Sequence, residues 1–131
     1  MPKFRAWDTI NKEMFEDTFA ITESGQVVVV KQESIVSFPE YVFVNHLVIM
    51  QFTDFKDTDG NEVFEGDKLG IETETSIIYV NVVWDSEHAM FMAYSEEYNE
   101  KEPLVELLKD TTYPFYVVGN IYEDKELMEK N

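Results

Sequence analysis

The residue choice of this chain predicts a mostly β fold with minor α, and three observations carry the prediction. Val, Ile and Thr together make up 32 of the 131 residues while Ala and Leu make up only 10, so side chains that suit a pleated surface far outnumber the strongest helix formers. Apolar runs are short and separated by Gly, Asn and Asp turn signals at close intervals. Leu104, Leu107 and Leu108 fall at the i, i+3, i+4 spacing of a helix face and predict a short helix opened by Pro103.

The formal net charge of −17 does not make this a disordered chain. Leu, Ile, Val and Phe number 39 of 131 residues, above the range of chains that fail to collapse. A chain of this length buries roughly two thirds of its unfolded surface, which suffices for one core, so a single domain over residues 1–131 is expected.

The elements follow in order. Lys3 to Asp8 reads as a strand, and Asp8-Thr9-Ile10-Asn11-Lys12 turns it back towards Glu13-Met14-Phe15. Ser24-Gly25 separates Phe19-Ala20-Ile21 from Gln26–Gln32, whose four consecutive valines predict a strand covered on both faces. After Pro39, Tyr41 to Phe52 reads as one long apolar strand. Asp57-Thr58-Asp59-Gly60-Asn61 and Glu65-Gly66-Asp67 are turns, because Asp and Gly tolerate positive φ.

Lys68 to Thr75 alternates, with Leu69, Ile71 and Thr73 inward and Glu72 and Glu74 outward. Ile77–Trp84 and Ala89–Tyr94 form a meander across Asp85-Ser86-Glu87-His88. Ser95 to Glu102 is polar and acidic and predicts no strand. Phe115 to Tyr122 is the last strand, and Asp124 is expected to cap a helical turn carrying Leu127 and Met128.

Several functions are excluded or disfavoured on chemistry. There is no Cys, hence no disulfide, thiolate metal site or thiol nucleophile, in keeping with a cytoplasmic location. No apolar run reaches the ~20 residues of a membrane span, and Met1 to Asp8 lacks a signal-peptide core, so no membrane association is expected. With 27 acidic against 10 basic side chains, the mean field repels phosphate backbones, which disfavours direct nucleic-acid binding.

The run from Ile49 to Asp67, IMQFTDFKDTDGNEVFEGD, resembles the central signature of the YopX family of phages and prophages of Gram-positive bacteria. Lys3-Phe4-Arg5-Ala6-Trp7-Asp8 resembles that family's start, Val82-Val83-Trp84-Asp85 its middle strand, and Val117-Val118-Gly119-Asn120-Ile121-Tyr122-Glu123 its closing stretch. The resemblance implies a β-rich fold with a small SH3-like barrel and a phage or prophage origin, and it carries no activity with it. On that basis residues 51–123 are expected to form the barrel core with a short helix near 103–109. Residues 1–50 are then an additional N-terminal β segment, with one or two short helices in all and 124–131 a C-terminal tail. The family usually places Gly after the Thr of the central motif where this chain has Asp54; Asp tolerates the left-handed region, so the same backbone is expected.

Candidate chemistry is sparse. Asp57-Thr58-Asp59-Gly60 suggests a calcium loop, but with Gly60 at the sixth position of an EF-hand, Phe55 and Gly66 occupy the first and twelfth, where carboxylates are required. His46 and His88 lack a second His or Cys at ligand spacing and read as structural. No phosphate loop, nucleophile elbow or dinucleotide fingerprint is present, so no catalytic, cofactor or metal residue is assigned. The rings of Trp7, Phe52, Phe55, Phe64, Trp84, Phe91, Tyr94 and Tyr122 are expected to be mostly core, with two or three at a protein contact.

Eight carboxylates lie between Asp54 and Glu74, and the candidate interaction surface is Asp54, Asp57, Asp59, Glu62, Glu72 and Glu74. On an extended strand Glu72 and Glu74 project on one face about 6.7 Å apart. The expected function is a non-enzymatic module that binds an unidentified protein and forms a homo-oligomer. The alternatives are an acidic mimic of nucleic acid that blocks a basic host protein, and a hydrolase with converging carboxylates.

Overall fold

The computed structural model describes residues 2–109 and 112–130, with side chains as far as Lys125. Its first strands are β1 (Phe4–Asp8), β2 (Glu13–Met14), β3 (Phe19–Ile21), β4 (Val27–Lys31) and β5 (Glu40–Val44). Then come β6 (Leu47–Lys56), β7 (Glu62–Phe64), β8 (Asp67–Glu72), β9 (Ile77–Asp85), β10 (Met90–Ser95) and β11 (Glu100–Pro103). The chain ends with α1 (Leu104–Leu108), β12 (Phe115–Asn120) and α2 (Ile121–Lys130), so the fold is mostly β with two short helices, as composition predicts.

Two compact units are distinguished, Met1–Arg5 with Met50–Asn131, and Ala6–Ile49. In the larger unit five antiparallel strands run in the order β11-β10-β9-β8-β12, a curled half-barrel compatible with the SH3-like type. Strand alternation places Leu69 and Ile71 of β8, Val80 and Val82 of β9 and Ala93 of β10 on one face. Together with Val63, Leu104 and Leu108 they form the core of this unit. Each fully buried Leu or Ile contributes about 1.5–3 kcal/mol of transfer free energy. β7 pairs with β6, whose register shifts between Phe52 and Lys56; Asp54 sits in that irregularity at φ 72°, the left-handed backbone expected of it.

The smaller unit has its own core of Ala6, Val29 and Leu47, with Phe15, Phe19, Val27, Val44 and Ile49 packed against it. β3, β4 and β5 form an antiparallel sheet in that order, with β5 at its edge. Val28 and Val29, adjacent in β4, are both buried, so both faces of this valine-rich strand are covered.

Several elements differ from expectation for physical reasons. The apolar run from Tyr41 to Phe52 is two strands, because Asn45 and His46 bend the chain and the His46 carbonyl accepts from both the amide and the hydroxyl of Thr9. β8 ends at Glu72, since Thr73 closes a tight turn onto Ser76. β11 lies in the stretch that composition left without a strand. The last strand stops at Asn120, whose side chain accepts the amides of Tyr122 and Glu123 and so caps α2 in place of Asp124. The side chains of Leu127 and Met128 lie outside the described residues.

Candidate functional site

The six carboxylates expected to form an interaction surface have unequal environments. Asp54, Asp59, Glu72 and Glu74 are exposed, and Glu74 sits in the turn after β8, so it does not share a strand face with Glu72. Glu62 is half-buried and receives both of its hydrogen bonds from Lys3 Nζ at 2.8 Å. Asp57 is only 6% exposed and organises structure. Its Oδ1 accepts the amides of Asp59 and Asn61, and its Oδ2 accepts the Asn61 side-chain amide and the Val117 amide at 3.0 Å, joining the turn to β12.

Burial pushes the Asp57 carboxyl up, but those donors, led by the Val117 and Asn61 amides, outweigh it and hold the group below the ordinary range. Asp57, Asp59 and Glu72 converge electrostatically on Tyr116. Its phenol is raised first by burial and then by Glu72, Asp59 and Asp57 in turn.

A second polar cluster joins Arg5 of β1 to Asp67 at the start of β8, 62 residues apart, at 2.6 Å. Asp67 is 1% exposed and its other oxygen accepts the Phe64 amide at 2.7 Å. Burial is the largest influence on its carboxyl and leaves it raised, although the Phe64 amide and Arg5 pull the other way. The guanidinium lies 4.7 Å from the Phe64 ring centre. Sequence reasoning treated Asp67 as a turn acid; the signal that marks it is the corner itself, where Gly66 at φ 89° brings the residue after it inward.

Both histidines are held locally. His46 Nε2 is 4.0 Å from Asp8 Oδ2, and Asp8 is lowered first by the Asn11 amide and, against opposing burial, by Ile10, the Asn11 side chain and His46. His88 Nδ1 is 2.8 Å from Asp85, whose carboxyl is lowered chiefly by that hydrogen bond. Asp85, Glu87 and His88 are the one group among the described residues with three metal-capable atoms close together. Asp85 Oδ1 already accepts the Glu87 and His88 amides, so the cluster is a self-satisfied exposed turn.

The larger unit contains a half-open trough of about 400 Å³ on the concave face of its sheet. Ile71, Ile78, Val80, Ala93 and Leu107 form an apolar floor, with Thr73 and Ser95 beside it. Tyr98 and Tyr113 stand at the mouth with Glu100, Lys101 and Glu102 of β11. The β10–β11 register pairs Ser95 with Glu100, Tyr94 with Lys101 and Ala93 with Glu102. Cross-strand partners share a face, so both glutamates lie on the face of Ser95 and Ala93 and Lys101 on the opposite face. Neither His is among the lining residues.

In the smaller unit Ile35, Val36, Phe38, Tyr41 and Phe43 are exposed, Ile35 and Phe38 by 97% and 94%. Of the rings expected to be core, Trp7 and Phe64 are buried, Phe52, Phe55, Phe91, Tyr94 and Tyr122 are half-buried, and Trp84 is exposed. Of the principal exposed rings, Phe38 and Tyr98 were not singled out by sequence, whereas Tyr41 and Phe43 belong to the apolar run from Tyr41 to Phe52.

The fold and these surfaces define a small, acidic, mostly β protein. The family model described as YopX protein matches residues 3–129, and the chain belongs to the YopX family. Among solved structures it is similar to protein EF1440 from Enterococcus faecalis, with 27% identity, a TM-score of 0.58 and 98% of each chain covered. It is also similar to protein yopX from Bacillus subtilis, with 14% identity, a TM-score of 0.64 and 95% of each chain covered, a likeness of fold. No curated protein matches the chain.

Proposed function

We propose that the chain is a non-enzymatic protein-binding module that self-associates through the β5 edge of its smaller unit, as an accessory phage or prophage protein in the cytoplasm of a bacterial host. The observation that carries this reading is the run of exposed apolar side chains from Ile35 to Phe43, next to an edge strand with unpaired backbone groups. Only Glu40 is charged between residues 34 and 44, although the chain carries −17 overall, so charge repulsion is lowest where apolar area is highest. Light scattering across a concentration series tests it: the chain associates, and Tyr41→Lys with Phe43→Lys shifts it to monomer without lowering its melting temperature. A monomer at every concentration overturns the self-association.

A second reading, an acidic mimic of nucleic acid, draws on the exposed carboxylates of Asp59 and Glu72, both of which help to raise the Tyr116 phenol. It predicts that the chain displaces duplex DNA from a basic DNA-bending protein in a salt-sensitive competition. Asp59→Asn with Glu72→Gln weakens that displacement, and no displacement at low salt removes the reading.

A further inference from the structure

We propose that the concave trough of the larger unit receives an extended basic segment of a partner protein, which places a large apolar side chain on the floor and Lys or Arg against Glu100 and Glu102. The floor of Ile71, Ile78, Val80 and Leu107 is apolar, and a volume of about 400 Å³ is that of a site for a compact ligand group, beyond what a packing defect in a close-packed core leaves.

Strand alternation places Glu100 and Glu102 on the face of Ser95 and Ala93 and Lys101 on the opposite face, so among the charged residues lining the mouth two carboxylates outweigh one cation. Their spacing of two residues on a strand, about 6.7 Å, equals the spacing of alternate side chains in an extended peptide, so two basic residues in that register meet both carboxylates. Tyr98 and Tyr113 also line the trough, and aromatic rings there add attraction for a cation. An acidic or anionic occupant meets repulsion from both glutamates and from a chain of charge −17.

The inference shares with the proposed function the premise of protein binding but uses a different surface, so its failure leaves the association assay at β5 unaffected. The test is a methyl NMR titration of the full chain with three blocked pentapeptides, Trp-Ser-Lys-Ser-Lys, Trp-Ser-Glu-Ser-Glu and Ala-Ser-Lys-Ser-Lys. The first shifts the methyl signals of Ile71, Ile78, Val80 and Leu107, and the other two do not. Glu100→Gln with Glu102→Gln, both exposed on an edge strand and harmless to folding, weakens the first peptide by about threefold or more. Equal responses to the acidic and basic peptides overturn the inference, as do shifts confined to other methyls, none at millimolar peptide, or indifference to the double substitution.

Discussion

At the residue scale the acids of this chain divide into those that hold the fold and those left to solvent. Asp57 belongs to the first kind. Asp57→Ala strips the acceptor from three backbone amides in a nearly buried turn and is expected to cost about 1–3 kcal/mol, measured by chemical denaturation. Because its folded pKa lies below the unfolded 3.8, the unfolded chain binds more protons in that window. Its stabilisation is therefore complete above 3.8 and is lost as pH falls through the folded value. Asp57→Asn consequently flattens the acid limb of a stability-against-pH curve; an unchanged limb contradicts the assignment.

Asp67 has the opposite sign. With its folded pKa raised, the folded chain binds more protons, and stability falls as pH rises from 3.8 through the folded value. Arg5→Ala removes the guanidinium paired with it and leaves burial to act. The expected loss at neutral pH is about 2–3 kcal/mol, below that of a fully buried pair because Arg5 is partly exposed. The loss is smaller near pH 4, where the carboxyl is more nearly neutral, and a pH-independent loss means that Arg5 acts by packing alone.

At the element scale the turns are more fully written in local sequence than the edges. Gly66 is a good case: its φ of 89° disfavours any side chain, and an added Cβ lies 3.1 Å from Met50 Sδ. Gly66→Ala is expected to destabilise by about 1–2 kcal/mol, read as a lower urea midpoint with unchanged slope. The short helix Leu104–Leu108 was equally legible, since it depends on residues within one or two turns of it, whereas the left-handed Asp54 was expected from the Gly that the YopX family usually places there. β11 was not, because Glu100, Lys101, Glu102 and Pro103 have poor strand propensity. Its identity as a strand comes from pairing with β10, and charge and Pro are what an edge strand carries to avoid unwanted pairing. The break at Asn45-His46 was hidden for a related reason: it is set by the Thr9 bonds to a carbonyl 37 residues away. The candidate surfaces follow the same rule. Charge was visible in the sequence, but whether Asp57 faces water or Glu100 shares a face with Ala93 depends on long-range register.

At the scale of the whole molecule the excess of 17 negative charges opposes compaction, because folding brings carboxylates closer together than they are in the expanded chain. With 27 acidic against 10 basic side chains most of them are not neutralised; the ion pairs include Lys3–Glu62, Arg5–Asp67 and Lys109–Glu106. Screening therefore removes more repulsion than attraction. Between about 10 and 150 mM salt the Debye length contracts from roughly 30 to 8 Å. The melting temperature is expected to rise by several degrees over that range at neutral pH, followed by calorimetry with a monovalent salt. A fall instead means that the few ion pairs outweigh the repulsion among the exposed carboxylates. The same screening strengthens association through the apolar β5 edge and weakens any contact made through the acidic face, so one salt series separates the two binding readings by the sign of the response.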